Sequence, residues 1–337
     1  MKRTLALALA ATTALAVTLT STIVQANSPI ELAVGSLAPE GSPWRNLLEE
    51  METRIEAKSG GKINVILRPA GFMGEVEMVQ ETRKGERLQA VGATTGAIAQ
   101  GGNIPQLQLV ELPFLFRNNA EADHVLDSLF SDFSTILDRK GFKLALWSEN
   151  GWRSFGTRSK AVRTPADLKG LKMRAQESDV HMAMYKTYGA TAVQKPMTEV
   201  LTALNSNVID GLDNTALYMQ AGGLGEPLKY FTLTRHIYQP AAILYSKRWY
   251  DGLPADLKTV VMDVDDLGPK GRRMIRSEEG AMMDNWGFFG VEVIELGGAE
   301  RAAFAKPAQA MHNSFAAGID GGPALLGKIR GKIAEKR

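Results

Sequence analysis

The sequence predicts an α/β protein built as two lobes. Strand-like and helix-like segments alternate along the 337-residue chain, and such alternation implies a largely parallel sheet with helices on both faces. About 310 residues follow the apolar N-terminal segment, and chains of that size usually divide into two lobes. Open parallel sheets bind ligands at the carboxyl ends of their strands, so we expect a binding cleft between the lobes.

The N-terminal segment has the features of a secretory signal peptide. Lys2 and Arg3 precede an apolar run at 5–19, and Val24 and Ala26 are the small residues expected before a cleavage site. A membrane anchor is disfavoured because threonines interrupt the run, which is shorter than the roughly 20 residues that span a bilayer. We expect residues 1–26 to be removed after about Ala26 and the mature protein to be periplasmic.

Composition excludes several classes of protein. The chain has 39 basic and 37 acidic residues, and removal of Lys2 and Arg3 with the signal peptide leaves 37 of each. A formally neutral protein argues against a nucleic-acid partner and against binding to a membrane surface through a basic patch. The absence of cysteine excludes a small disulfide-stabilised scaffold.

Capping residues locate the elements of the first half. Ser42 is a suitable N-cap with Pro43 in the first turn, and Gly60 with Gly61 ends that helix. Trp44, Leu47, Leu48, Met51 and Ile55 recur at helical spacing on one face. The other predicted elements are strands at 31–34, 62–67, 88–91 and 142–147, a helix at 75–87, and two short helices within 120–140.

The second half repeats the same order. Thr164 and Asp167 form a helix start around Pro165. A long helical stretch begins at Ala255, and Gly268-Pro269 should kink or break it because proline removes a backbone donor. The other predicted elements are strands at 153–157, 171–174, 190–193 and 241–245 and helices at 178–188 and 196–206.

Two arginines are the strongest candidates for a binding site. Arg174 ends one predicted strand and Arg153 opens another. A guanidinium is planar and permanently charged, and it can hold a carboxylate through two parallel hydrogen bonds. Both side chains could converge on one anion if their strands are neighbours, which the sequence leaves open.

Seven short motifs in order resemble one family, the periplasmic solute-binding proteins of tripartite ATP-independent periplasmic (TRAP) transporters, in particular the DctP-like group. The resemblance covers nearly all of the mature chain. The motifs lie at 38–42, 112–116, 150–153, 164–174, 198–200 with 203–204, 210–211 with 214, and 246–249.

The resemblance implies a two-lobed, type II-like binding-protein fold with hinge strands and a long lobe-spanning helix, kinked here at Pro269. Most members are expected to be monomers, and a minority dimerise through C-terminal helices. The implied division is a signal peptide at 1–26, lobe I at 27–150 and about 240–278, lobe II at 151–239 and about 279–305, and a C-terminal helical segment at 306–337 that packs across the lobes.

The resemblance also implies roles for individual residues. Arg174 binds the ligand carboxylate, Arg153 assists it, and Asn214 donates a hydrogen bond nearby. The weaker ligand-binding candidates are Met197, Asp213, Trp147, Thr94 and Glu40. Each of these residues could instead have a purely structural role. Arg153 would then form an ion pair within the protein, and Asn214 would cap the following helix. Met197 and Trp147 would only pack against other side chains.

The chain departs from the family pattern around the pocket. The unusual residues there are Gln194, Lys195, Met197, Leu212 and Asp213. A sialic-acid-binding member would carry a glutamate within the segment at 92–96, which has none here. Sialic acid is therefore not the expected ligand.

The predicted function is capture of a small organic acid and its delivery to the small and large membrane subunits of a TRAP permease, with no cofactor or metal. Alternatives are a binding protein of an ATP-driven importer, a ligand-presenting partner of a sensor, and a periplasmic enzyme on the same fold. No motif of a known class of enzyme supports the last alternative. The four histidines are far apart in the sequence, and the segment 322–328, which is similar to a phosphate-binding loop, is followed by Ile329 where Ser or Thr is required. Four-carbon dicarboxylates, sugar acids, 2-oxo acids and hydroxy acids all remain possible ligands, and the coupling ion is open.

Overall fold

The structure, a computed structural model, describes residues 28–337, so the predicted signal peptide lies outside the described residues. Its strands are β1 Ile30–Ser36, β2 Ile63–Leu67, β3 Ala90–Thr94, β4 Phe142–Thr157, β5 Lys172–Ala175, β6 Thr191–Gln194, β7 Gly211–Asn214, β8 Tyr230–Ser246 and β9 Glu292–Glu295. Its helices are α1 Pro43–Ser59, α2 Glu75–Lys84, α3 Thr95–Gly102, α4 Asn119–Ser128, α5 Phe130–Asp138, α6 Asp179–Thr187, α7 Val200–Asn205, α8 Ala216–Ala221, α9 Lys247–Gly252, α10 Ala255–Met262, α11 Leu267–Met283, α12 Gly298–Ala310, α13 His312–Ala317 and α14 Gly322–Ala334. Within this part of the chain, no helix combines the length and apolar character needed to cross a bilayer.

All nine strands belong to one mixed sheet in the order β2-β1-β3-β8-β4-β7-β5-β6, with β9 beside β8. The outer pairings are parallel, as predicted. The central pairings of β8 with β3, β8 with β4, and β4 with β7 are antiparallel. The α/β fold class is confirmed, but the expectation of a largely parallel sheet holds only away from the centre.

The two central strands run through both halves of the molecule. β4 has 16 residues and joins the segments predicted as separate strands at 142–147 and 153–157. β8 has 17 residues, although only 241–245 was predicted. The polar sequence around Asn150 and Gly151 indicates a turn, yet the chain continues as a strand there because β-bulges absorb the irregularity, and Gly151 adopts a φ of 111°.

Helices cover both faces of each half. In the first half, α2 to α5 and α14 cover one face and α1 with α10 the other. In the second half, α6 and α12 cover one face and α7 with α8 the other. The C-terminal helices therefore begin on the second half, at α12, and end on the first half, at α14.

The long helical stretch is interrupted just before the predicted position. α10 ends at Met262 and α11 begins at Leu267, so Pro269 lies in the first turn of α11. A proline is tolerated there because the first turn has no intrahelical acceptor for its missing donor. The predicted kink at Gly268-Pro269 is therefore wrong in position. α11 contacts β4, α1 and α8, so it spans both halves.

We predict that Gly211→Ala destabilises the second half. A Cβ at Gly211 would lie 2.3 Å from the carbonyl oxygen of Gly156 and 3.0 Å from Cγ2 of Thr157. Forcing β7 and β4 apart should cost about 1–3 kcal/mol, measurable as a lower urea midpoint. The control is Gly327→Ala in α14, where the space is open and alanine should stabilise by up to about 1 kcal/mol. Equal midpoints for both variants would contradict this account.

Candidate ligand-binding site

Arg174 lies in β5 near the carboxyl edge of the sheet, with 3% of its surface exposed. Its Nε donates to the carbonyl oxygen of Lys195 at 2.9 Å, which fixes the direction of the side chain. The two Nη atoms make no hydrogen bond to any residue in 28–337. Burial and the positive charge of Arg153 lower the pKa of Arg174 to about 10, which leaves it charged at neutral pH. Arg174 is thus a buried cation whose outer fork is free for an anion.

Arg153 has a different environment. Its strand β4 is separated from β5 by β7, so the two arginines do not lie on neighbouring strands. Its Nε donates to Oδ2 of Asp213 at 2.5 Å, and its Nη1 donates to Oε1 of Gln239 at 2.7 Å and more weakly to Gln176 and Asn214. With 1% of its surface exposed, Arg153 is held by protein groups.

Asp213 is the counter-ion of Arg153 and has no exposed surface. Its Oδ1 accepts a hydrogen bond from the hydroxyl of Tyr185 at 2.7 Å, and its Oδ2 lies 3.6 Å from Nδ1 of His181 and 3.4 Å from Nε2 of His236. Burial alone would raise the pKa of Asp213, but Arg153 and the two imidazoles hold it well below its ordinary value. The structure places this candidate in the interior, turned toward Arg153.

The interaction continues to Glu111, a buried carboxylate that the sequence did not single out. Glu111 accepts hydrogen bonds from His181 Nε2 at 2.7 Å and from Gln239 Nε2 at 3.0 Å. Burial lowers the pKa of His181, but the nearby carboxylates of Asp213 and Glu111 outweigh burial and raise it. We refer to Glu111, Arg153, His181 and Asp213 as the buried ion network; its two carboxylates face the guanidinium of Arg153 and the imidazole of His181.

Asn214 connects this network with the cleft. Its Oδ1 accepts from Asn150 Nδ2 and from the backbone N of Thr215, both at 2.9 Å. Its Nδ2 lies 3.7 Å from Sδ of the partly buried Met197. The N-cap of α8 is Thr215, whose hydroxyl accepts from the backbone N of Tyr218. The capping alternative for Asn214 is therefore wrong.

Thr94 lies at the end of β3, where the two halves meet. Its backbone N and its hydroxyl donate to the carboxylate of Glu75 at 2.7 and 2.9 Å. Its hydroxyl also accepts from Nε2 of Gln176 at 2.7 Å, although Gln176 follows β5 in the second half. This hydrogen bond joins the halves directly across the cleft.

A cavity of about 70 Å³ adjoins this contact. Its walls come from both halves and include Trp44, Glu75, Thr94, Asn150 and Tyr218, and the rings of Trp44 and Tyr218 are 5.9 Å apart. Arg174 is not among the lining residues. Its charge nevertheless opposes the rise in the pKa of two lining residues, Glu75 and Tyr218.

Glu75 is a cavity residue that sequence reasoning missed. Its carboxylate is partly buried, and burial raises its pKa, although the hydrogen bonds from Thr94 and the charge of Arg174 oppose the rise. The available signal was positional. Glu75 opens α2 soon after β2 ends, so it lies at the carboxyl edge of the sheet where ligands bind.

Two weaker candidates lie away from the cavity. Side chains alternate between the two faces of a strand. Ser148 and Asn150 line the cavity, whereas Trp147 points into the core on the other face of the sheet. There its ring packs edge-on against Phe133, with 5.5 Å between the ring centroids. The side chain of Glu40 is 68% exposed and pairs with Arg45 at 3.4 Å. In residues 28–337, no cluster of three or more histidines or carboxylates is arranged to hold a metal ion.

We predict that Asp213→Asn lowers the free energy of unfolding by about 3–5 kcal/mol, because it leaves the Arg153 charge buried without its partner. Urea titration measures the change. The control is Asp256→Asn, whose exposed pair with Lys62 should matter by less than about 1 kcal/mol. A similar small effect at both positions would show that the buried ion network contributes little to stability.

Comparisons with known proteins agree with this architecture. The model of the family "Bacterial extracellular solute-binding protein, family 7" (DctP) matches residues 34–318. A solute-binding protein of Verminephrobacter eiseniae is 34% identical over 69% of this chain and 70% of its own. The 2,3-diketo-L-gulonate-binding periplasmic protein YiaO of Escherichia coli is 30% identical over 71% of this chain and 73% of its own.

A solved structure has the same fold. The sugar acid binding protein DctPAm of Advenella mimigardefordensis, in complex with galactonate, superposes with a TM-score of 0.85 at 26% identity, covering 90% of this chain and 99% of the other. The family match spans both halves of the sheet, the connecting strands and the candidate site. The chain belongs to the DctP family, the solute-binding proteins of TRAP transporters.

Proposed function

We propose that this protein captures a small organic acid in the periplasm by seating its carboxylate on Arg174, and that it delivers the acid unchanged to the small and large membrane subunits of a TRAP permease. The observation that carries the proposal is the free fork of Arg174. A buried guanidinium with no carboxylate partner among residues 28–337 is costly, and an acid ligand would supply the missing charge.

The free energies expected for the contacts at Arg174 suit a protein that binds its ligand reversibly. Each hydrogen bond to a charged group contributes about 1.5–3 kcal/mol. A bidentate carboxylate on Arg174 with one or two further donors, of which the amide of Asn214 is one, therefore reaches roughly micromolar affinity. Arg153 acts indirectly, since its position behind Arg174 adds positive potential and lowers the pKa of Arg174.

Capture by closure follows from the connections between the halves. We propose lobes at 27–150 with about 240–278 and at 151–239 with about 279–305, which change their separation by bending at the bulged parts of β4 and β8. The hydrogen bond from Gln176 to Thr94 would form as the lobes close. Exclusion of water then strengthens the ion pair at Arg174.

The carboxylate of Glu75 narrows the class of acid. A second carboxylate on the ligand would meet Glu75 at the far wall of the cavity and be repelled, whereas a hydroxyl would donate a hydrogen bond to it. We therefore propose a hydroxylated monocarboxylate, such as a sugar acid, in preference to a four-carbon dicarboxylate. The relatives named for diketogulonate and galactonate support this class.

Arg174→Ala should weaken binding by about 100-fold, which corresponds to about 3 kcal/mol from two charge-assisted hydrogen bonds. Arg174→Lys keeps the charge but loses the fork, so we expect at least about tenfold weaker binding. Thermal-shift screening with galactonate, gulonate, glucuronate and succinate identifies a binding acid, and calorimetry then measures its dissociation constant.

The matched control is Arg248→Ala, since Arg248 is 74% exposed and its described partner is the exposed Glu86. It should bind like the unmodified protein. Circular dichroism checks that each variant is folded. An unchanged dissociation constant for folded Arg174→Ala would refute the arginine clamp.

Glu75→Gln should shift the preference between acids. Without the carboxylate, we expect galactonate to lose affinity and succinate to gain it, changing their ratio by about tenfold. Competition calorimetry measures the ratio. Glu77→Gln, an exposed position on the same helix, should leave the ratio unchanged. An unchanged ratio in Glu75→Gln would show that this side chain does not select the ligand.

A further inference from the structure

A second, strongly basic pocket lies on the elements that connect the two halves. Its volume is about 360 Å³. We refer to it as the hinge pocket and define it by Arg117, Asn119, Trp152, Arg235, Glu279 and Arg301. Asn119 begins α4 in the first half, and Arg117 lies two residues before it. Arg301 lies in α12 on the second half, and Trp152 and Arg235 lie on the two connecting strands.

The charges of the hinge pocket are unbalanced. Arg276, at its edge, is fully compensated, since it donates to Asp123 at 2.7 and 2.8 Å and to Glu149 at 2.6 Å. Among the side chains that the structure describes, which exclude those of residues 281 and 284, no carboxylate lies within ion-pair distance of Arg117, Arg235 or Arg301. Three arginines therefore line a pocket in which Glu279 is the carboxylate among the described lining residues besides the compensating partners of Arg276.

The arginines are positioned by other contacts. Nη2 of Arg301 donates to the carbonyl oxygen of Arg235 at 3.3 Å, and its guanidinium lies 5.7 Å from the centre of the Phe114 ring. Burial and the charge of Arg235 lower the pKa of Arg301. This like-charge neighbour is unfavourable unless a negative charge lies between the two arginines.

The backbone at Arg235 is strained. Its φ is 44°, in the left-handed region that side chains other than glycine rarely adopt. The residue lies where β8 bulges opposite Ser154, whose hydroxyl accepts from the backbone N of Arg235 at 3.1 Å. Strain of this kind persists where the surrounding structure holds it and is concentrated at functional sites.

We propose that the hinge pocket binds a small multivalent oxyanion, of the chemistry of sulfate or phosphate, between Arg117, Arg235 and Arg301. Guanidinium groups bind such oxygens through parallel charge-assisted hydrogen bonds. This site is separate from the cleft at Arg174, and its residues are the same whichever acid the cleft binds.

Occupation of the hinge pocket would influence the cleft. The pocket walls come from both halves and from the strands between them, so a bound anion favours the lobe separation that best fits it. By linkage, the anion and the cleft ligand then change each other's affinity by the same factor. The anion would act as a regulator of capture.

The site should respond to pH through Glu279. Burial raises the pKa of Glu279 to about 7, against the opposing charges of Arg235 on β8 and Arg276 on α11 and with the support of Glu149 on β4. Below that pH the pocket loses the negative charge of Glu279 while the guanidiniums stay charged. Anion affinity should therefore rise as the pH falls through about 7.

Sulfate is the probe, because its charge is constant across this pH range. Two methionines serve as local reporters in protein labelled with ¹³C-methyl methionine: Met283 lines the hinge pocket and Met197 contacts Asn214 in the cleft. In ligand-free protein, sulfate should shift the Met283 methyl resonance saturably, and any smaller shift of Met197 should follow the same saturation curve. Arg301→Gln and Arg117→Gln should each weaken sulfate by about tenfold, whereas Arg248→Gln should not.

Further variants separate this site from the cleft. Arg174→Gln should retain the Met283 response, even if it no longer binds any organic acid. Glu279→Gln should bind sulfate equally well at about pH 8 and about pH 6. Three results would overturn the proposal. The first is a Met283 response that does not saturate, and the second is an equal response in the Arg301→Gln and Arg248→Gln variants. The third is a response that appears at Met197 instead and is lost in Arg174→Gln.

Discussion

The ion pair between Arg153 and Asp213 is the interaction on which the rest of the structure depends. Arg153 belongs to a strand that crosses both halves, and Asp213 belongs to β7, which lies between that strand and the strand of Arg174. Hydrogen bonds to Gln239 and Gln176 extend the pair to β8 and to the second residue after Arg174. A charge buried this deeply is tolerated only with its partner, so the pair fixes how the central strands meet.

Arg153 and Arg174 show how environment assigns roles to identical side chains. Both are almost fully buried, at 1% and 3% exposure. Arg153 has a carboxylate within hydrogen-bond distance and is satisfied by the protein. Arg174 has a carbonyl on its Nε, and the largest charge effect on it, from Arg153, is repulsive. The difference lies in the position of one carboxylate, Asp213.

Local chemistry was predictable from the sequence, and long-range pairing was not. Ser42 and Gly60 cap α1 as predicted, because capping depends on residues within one turn. The placement of β7 between β4 and β5 depends on chain crossings that no local pattern encodes. The continuity of β4 through Asn150 and Gly151 was missed because a bulge and a turn use the same residues. Glu75 was overlooked because its neighbours in space, Thr94 and Tyr218, are distant in sequence.

The connection between the halves consists of two hydrogen-bonded antiparallel strands of 16 and 17 residues, supported by α11. A pair of strands resists shear and stretching far more than it resists twisting and bending, because shear would break the ladder of hydrogen bonds. The unliganded protein can therefore explore few relative orientations of its halves. Few orientations would mean little disorder to lose in the proposed capture, so more of the interaction energy at Arg174 would be available as affinity.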